Sequence, residues 1–177
     1  MDRDELVRYL DAYLRIQDFP QDPSLNGLQV EGKRTVRKVG AAVDAGEAIF
    51  RKALEEEVDF LIVHHGMNWR PISPERQVRR LRLAALKKTG LSLYSSHLPL
   101  DAHPVIGNNA LIAADLGLKV VDWFVDYEGL PIACLCQGIP RATLARRLKQ
   151  SYPDTYQAIE FGSARPKKIA ILSGSGR

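Results

Sequence analysis

All four histidines of this 177-residue chain fall in two short stretches, Asp59 through Gly66 (Asp-Phe-Leu-Ile-Val-His-His-Gly) and Ser95 through His103 (Ser-Ser-His-Leu-Pro-Leu-Asp-Ala-His). In the first, His64 and His65 end an apolar run that reads as a buried strand, and ligands of open α/β sheets collect beyond the C-terminal ends of such strands. Neighbouring side chains of an ideal strand point to opposite faces, but a chain that bends away at Gly66 can aim both rings into one cleft. Two neutral imidazoles suit Zn, Fe, Mn or a similar divalent ion. The competing reading of the dipeptide is a surface pair, or one histidine satisfied in the core. The second stretch favours the metal. It follows the next strand and so opens at the same edge, bringing His97 or Asp101 within ligand reach, and Asp101 adds the hard anionic oxygen of a two-metal hydrolytic site. His103 is left to cap the following helix or to face solvent. Pro99 argues against a regular helix between His97 and Asp101.

Weaker candidates surround these. Asp44 closes the preceding strand at the same edge, where it either supports the site from behind or caps a helix. Ser173-Gly174-Ser175-Gly176 has the composition of a phosphate-cradling loop, yet no helix follows it and the Walker lysine is absent. Cys134 and Cys136 lack the two-residue spacer of a zinc or redox motif and read as buried strand thiols. A serine triad drawing on 95–103 stays open, although no G-x-S-x-G elbow accompanies it.

The elements that must position these groups alternate. Asp2 and Glu5 frame a helix running to about Ile16, with Leu6, Val7, Leu10, Tyr13 and Leu14 on one face. A loop with Pro20, Pro23, Asn26 and Gly27 leads to the strand fragment Leu28-Gln29-Val30. A βαβ unit follows: strand Val39 to Val43, a helix with Ala48, Ile49, Ala53 and Leu54 inward, and strand Phe60 to Val63. Next come a helix from about Glu75 with Val78, Leu81 and Ala85 inward, Gly90 as its C′ residue, the strand Leu91 to Ser95, and a helix from Asn108 to about Leu116 closed by Gly117. Beyond Val121 the pattern changes: Trp123 to Gly129 reads as strand and turn, Ile132 to Gln137 as strand, and Pro140 starts a helix. The expected organisation is a main α/β metal-binding domain over 1–122, a small α+β insertion over 123–165, and a return of 166–177, through Lys168 to Leu172, to the main sheet.

Composition fits one globular domain, with 45% hydrophobic and 26% charged residues. The apolar runs fall far short of the ~20 residues of a membrane span, so no membrane partner and a reducing cytoplasm are expected. The formal charge of +4 hides an asymmetry, since residues 1–60 carry 9 basic and 13 acidic side chains and the remainder carries 16 and 8. A solvated helix face accounts for Arg76, Arg79, Arg80, Arg82, Lys87 and Lys88, and without interleaved aromatics nucleic acid is the minority reading.

Several linked motifs carry a family resemblance: Asn26-Gly27-Leu28-Gln29-Val30, Ala42-Val43-Asp44, Asp59 through Gly66, His97 through Asp101, and Gly107-Asn108-Asn109-Ala110 before Leu116-Gly117-Leu118. In this order they resemble the Nif-three-like proteins, a family known also as GTP cyclohydrolase I type 2 homologues or dinuclear-metal-centre hexameric proteins. The resemblance implies a three-layer α/β/α sandwich with a mixed, mainly parallel sheet, a toroidal homohexamer, and two divalent metals per subunit. It places His64, His65 and Asp101 on metal ligands and His97 on a catalytic or supporting histidine beside them. The implied activity is a metal-dependent hydrolase resembling GTP cyclohydrolase I type 2, with water attacking a nucleotide or similar small substrate. The alternative is a non-enzymatic ring that binds protein or nucleic acid, its metals structural. The family completes its site with a later histidine and glutamate; no histidine follows His103 here, so the favoured expectation is a chain that stops before those two ligands, the alternatives being a partner chain that supplies them or a degenerate site.

Overall fold

Phe60, Leu61, Ile62 and Val63 are apolar on both sides of the strand they form, and such a strand is stable only inside a sheet covered on both faces. The structure, a computed structural model, describes residues 1–70, 84–127 and 130–174. The predicted helix from Glu75, with Val78 and Leu81, the arginines 76, 79, 80 and 82, and Ser175-Gly176 lie outside the described residues. The chain divides into two units, Met1–Leu100 and Asp101–Arg177.

The first unit holds a four-stranded sheet in the order β1-β4-β3-β2, made of β1 (Gly27–Val30), β2 (Val39–Asp44), β3 (Phe60–His65) and β4 (Ser92–Ser95). β2, β3 and β4 are parallel, and β1 runs antiparallel to β4 at the edge. Helix α1 (Arg3–Tyr13) is capped by the Asp2 carboxylate, which accepts from the Asp4 and Glu5 amides. Its Leu6 packs with Leu14, Phe60 and Tyr94 on one face of the sheet, with Leu28 and Ile62 alongside. The other face carries Leu61, Val63 and Leu93, covered by Ile49, Phe50 and Ala53 of α2 (Glu47–Glu55) and by Leu86 from a helical segment over 84–89. This is the expected three-layer arrangement with a mixed, mainly parallel sheet.

Alternation sends Phe60 and Ile62 one way and Leu61 and Val63 the other. Leu28 and Val30 share a parity yet serve opposite faces, because the register with β4 shifts between them, Leu28 pairing Tyr94 and Val30 pairing Leu93. Helix α1 ends earlier than expected, since Arg15 turns left-handed (φ 55°) before a 3-10 turn over Ile16–Asp18. On α2 the inward stripe is Ile49, Phe50 and Ala53, whereas Leu54 is exposed. Ala85 is likewise exposed and its neighbour Leu86 faces the core.

The second unit is built on a three-stranded antiparallel sheet, β5 (Val120–Tyr127), β6 (Leu130–Gln137) and β7 (Lys168–Ile171). Ala113 and Leu116, from and just beyond α3 (Asn108–Asp115), share one core with Cys134, Cys136 and Ile171, against which Leu144 and Leu148 of α4 (Arg141–Ser151) also pack. This corrects the expected return of 168–172 to the main sheet: β7 pairs Cys134 through Gln137, and its Ile171 joins the core of Cys134 and Cys136. The observed division at Leu100 and Asp101 likewise differs from one at 122. Pro99 sits inside a single helical turn, Leu98–Asp101, against expectation; in a first turn its missing N–H removes no intrahelical bond.

Two outcomes test this packing. A Cβ on Gly32 would overlap the Gly90 carbonyl oxygen and lie 2.5 Å from the Ser92 nitrogen, atoms that cannot yield. Gly32→Ala should therefore lose about 1–3 kcal/mol in urea unfolding, the usual cost of overpacking. Burial pushes the Cys134 thiol up to about 12 and raises Cys136 as well. Native protein should resist iodoacetamide at pH 8 while the urea-unfolded chain reacts, and rapid native labelling would contradict the buried-thiol reading.

Candidate metal centre

Parallel pairing of β2 with β3 sets Asp44 directly opposite His65, and pairing of β3 with β4 sets Val63 opposite Ser95. The chain beyond β4 therefore rises beside the end of β3 and delivers His97 to the histidine pair. His64, His65 and His97 each offer a ring nitrogen, and the three atoms lie within 4.8 Å of one another. Ring centroids are 4.5 Å apart for His64 and His65, 5.0 Å for His64 and His97, and 5.6 Å for His65 and His97. Trp69 closes one side, edge-on to His97 at 4.9 Å, with its indole N–H donating to the Gly66 carbonyl at 2.8 Å.

Each imidazole meets an oxygen acceptor at Nδ1. His64 faces the Ser96 carbonyl at 3.0 Å, His65 the Asp44 carboxylate at 2.7 Å, and His97 the Asp22 carboxylate at 2.8 Å. A carbonyl or an ionised carboxylate only accepts, so Nδ1 carries the proton and, in the neutral ring, Nε2 carries the lone pair. That is the carboxylate–histidine arrangement that holds metal-binding imidazoles in one tautomer. Three neutral imidazoles so arranged fit one borderline divalent ion such as Zn, Fe or Mn.

The carboxylates differ in setting. The Asp44 side chain is 71% exposed, that of Asp22 is wholly buried, and their histidines follow suit at 43% and 18%. Burial pushes the Asp22 carboxyl up, but hydrogen bonds from His97, Asn26 and the Ser24 amide outweigh it and hold the group below the ordinary carboxylate range.

Loop residues fix the surroundings. Asn26 Oδ1 accepts from the His97 amide at 2.7 Å. Gln29 Oε1 accepts from the Met67 and Asn68 amides, and its Nε2 donates to the Leu25 carbonyl. Gly66 lies so close under this side chain that a Cβ would overlap the Gln29 amide and lie 2.6 Å from Ser95 Oγ. Asn26 and Gln29 thus brace the ends of β4 and β3.

Asp101 and His103 belong to the second unit. Asp101 is buried and accepts at Oδ1 from Asn108 Nδ2 at 2.7 Å and from Ser173 Oγ at 2.8 Å. The Ser173 amide donates to Asn109 Oδ1 at 2.6 Å, so the start of the Ser-Gly loop is engaged in holding Asp101 and α3. His103 is buried and accepts the Val105 and Ile106 amides at Nδ1, which makes it a brace for the turn before α3.

The family model Duf34/NIF3 (NGG1p interacting factor 3) matches residues 1–177. The chain belongs to the NIF3 family. Among its relatives is a Pyrococcus horikoshii protein named GTP cyclohydrolase 1 type 2 homolog, 42% identical, with the match covering 99% of this chain and 72% of the relative. A Deinococcus radiodurans protein of the same name is 40% identical over 98% of this chain and 67% of its own length. A crystal structure from Thermus thermophilus superposes with a TM-score of 0.78 at 56% identity, covering 99% of this chain and 72% of that one. The solved protein ybgI, described as of unknown function, gives a TM-score of 0.86 at 34% identity, with 99% and 71% covered.

For this NIF3 chain, sequence reasoning named the three histidines and Asp44, which bonds to His65 and does not cap α2, whose N-cap is Gly46. It missed Asp22 and Trp69. Asp22 stands between Pro20 and Pro23 in a loop 75 residues before His97, and no local pattern links them. Its lowered pKa gives a signed prediction. The stabilisation by Asp22 is present above the unfolded carboxyl value of about 3.9 and is lost as pH falls through the lower folded value. Asp22→Asn leaves buried donors facing an amide and should cost about 2–4 kcal/mol at pH 7, the deficit shrinking toward pH 2. Urea unfolding of both proteins across that range measures it, and a pH-independent deficit would contradict the ionised assignment.

Proposed function

We propose that this NIF3-family chain is a hydrolase-like protein that uses divalent metal to activate water against a nucleotide or similar small substrate. The observation that supports this reading is the three-imidazole cluster with an oxygen acceptor behind every Nδ1. A bound divalent ion supplies Lewis-acid chemistry and lowers the pKa of its water to about 7. His64 and His65 would hold the ion, with Asp44 keeping His65 in the Nδ1–H tautomer. His97 would complete the three-imidazole set, in place of the proton-carrying role that the resemblance implies for it, because a ring nitrogen bound to a metal has no lone pair left for a proton. The family resemblance adds Asp101 as a carboxylate ligand, a second ion per subunit, assembly as a homohexameric ring, and a cytoplasmic setting; all four are part of the proposal. Among the described residues no helix is long and apolar enough to cross a membrane.

The test is metal titration followed by turnover. Metal-free protein should take up Zn or Mn and then hydrolyse GTP only when loaded. His65→Ala should weaken metal affinity at least about tenfold. His65→Ala and Asp101→Ala should each abolish metal-dependent turnover. Undiminished turnover after chelation, or in both variants, would sink the reading, and light scattering would test the ring separately.

A further inference from the structure

The Asp22 carboxylate is surrounded by donors only. Oδ1 accepts from the Ser24 amide at 2.9 Å and from His97 Nδ1 at 2.8 Å; Oδ2 accepts from Asn26 Nδ2 at 2.8 Å and from the Leu98 amide at 3.0 Å. Two oxygens offer about four lone-pair sites, so these four contacts use the acceptor capacity of an ionised carboxylate. Asp22 is therefore a buried acid beside three histidines that has no capacity left to ligate a metal. Two of its four donors, His97 Nδ1 and the Leu98 amide, come from the segment that carries His97, and Asn26, held by Oδ2, accepts the His97 amide in turn.

We propose that Asp22 is the positioning residue of the centre, locking His97 in the Nδ1–H tautomer with its Nε2 lone pair turned to His64 and His65. The inference rests on the metal reading above and names the group that keeps its third imidazole competent. An amide cannot replace the carboxylate. In Asp22→Asn one oxygen becomes NH2, which must face either the Asn26 and Leu98 donors or the Ser24 and His97 donors. Rotating the Asn26 amide to relieve the first would break its bond to the His97 amide. The cheaper response is for His97 to move its proton to Nε2 and accept at Nδ1. That puts an N–H on the nitrogen whose lone pair a cation would need, in a cluster whose three histidines each offer one ring nitrogen within 4.8 Å of the others.

The experiment is long-range 15N–1H NMR of the metal-free full chain, paired with visible-absorption titration by Co2+ alone. In the wild-type protein His97 should show the Nδ1–H tautomer, a measurement that needs no variant to fold. Asp22→Asn should shift His97 to Nε2–H and weaken Co2+ binding about 10–100-fold. In a His97→Ala background the same substitution should cost no further affinity. A wild-type Nε2–H tautomer overturns the proposal, as does unchanged Co2+ affinity in Asp22→Asn or an equal loss in the His97→Ala background. If wild-type protein takes up no Co2+, the metal reading fails by itself, and the tautomer measurement still decides whether Asp22 positions His97.

Discussion

The histidine cluster depends on one register. β2, β3 and β4 run parallel with Asp44 opposite His65 and Val63 opposite Ser95, and that pairing both splits the core and assembles the site. A slip of one residue would turn Leu61 and Val63 toward α1 and Phe60 and Ile62 toward α2, and would carry Asp44 away from His65. β3 is apolar on both faces, so the slip would keep these side chains buried but put each pair into the layer shaped for the other, and misfits of that kind cost about 1–3 kcal/mol each. The polar site thus inherits its precision from the hydrophobic layers beneath it. The edge strand β1 lies outside this constraint and accommodates both layers through its bulge.

Buried carboxylates are costly unless hydrogen bonds satisfy them, and among the described residues the first unit buries two that are held in similar ways. Asp59, just before β3, collects the Arg37 and Lys38 amides at one oxygen and Lys33 at the other. Those hydrogen bonds, the Arg37 amide foremost, hold it below the ordinary carboxylate range. Asp22 does the same for the chain beyond the opposite end of the strands. The device alone carries no function, since Asp59 gathers only backbone amides and a lysine. What distinguishes Asp22 is that one of its donors is an imidazole whose other nitrogen belongs to the cluster.

Much of this was legible in the sequence. The buried strand ending in His-His, the second histidine stretch after the next strand, and the α/β alternation rest on local patterns, and the sheet bears them out. Asp44 was legible as a group at the same edge because parallel strands align their C-terminal ends. Asp22 was not, because its partners are set by the return of a loop across 75 residues. The pairing of β7 with β6 was equally hidden: Lys168 to Leu172 is apolar enough for either sheet, and only the shared core of Cys134, Cys136 and Ile171 decides. Pro99 misled for a different reason. The proline rule excludes helix interiors, and a four-residue turn has none.

The two acidic supports divide the centre into a fixed side and an adjustable side. His97 is braced from within by a carboxylate that water does not reach, so rotating it means breaking several buried hydrogen bonds together. His65 is braced by an exposed carboxylate, and an exposed pair of this kind contributes on the order of 0–1 kcal/mol. Thermal motion can open the second brace far more readily than the first. The His65–Asp44 side of the cluster is the more exposed, and Asp22 is buried behind His97. That asymmetry suits a centre in which one imidazole must keep its lone pair in place while another adjusts to what arrives.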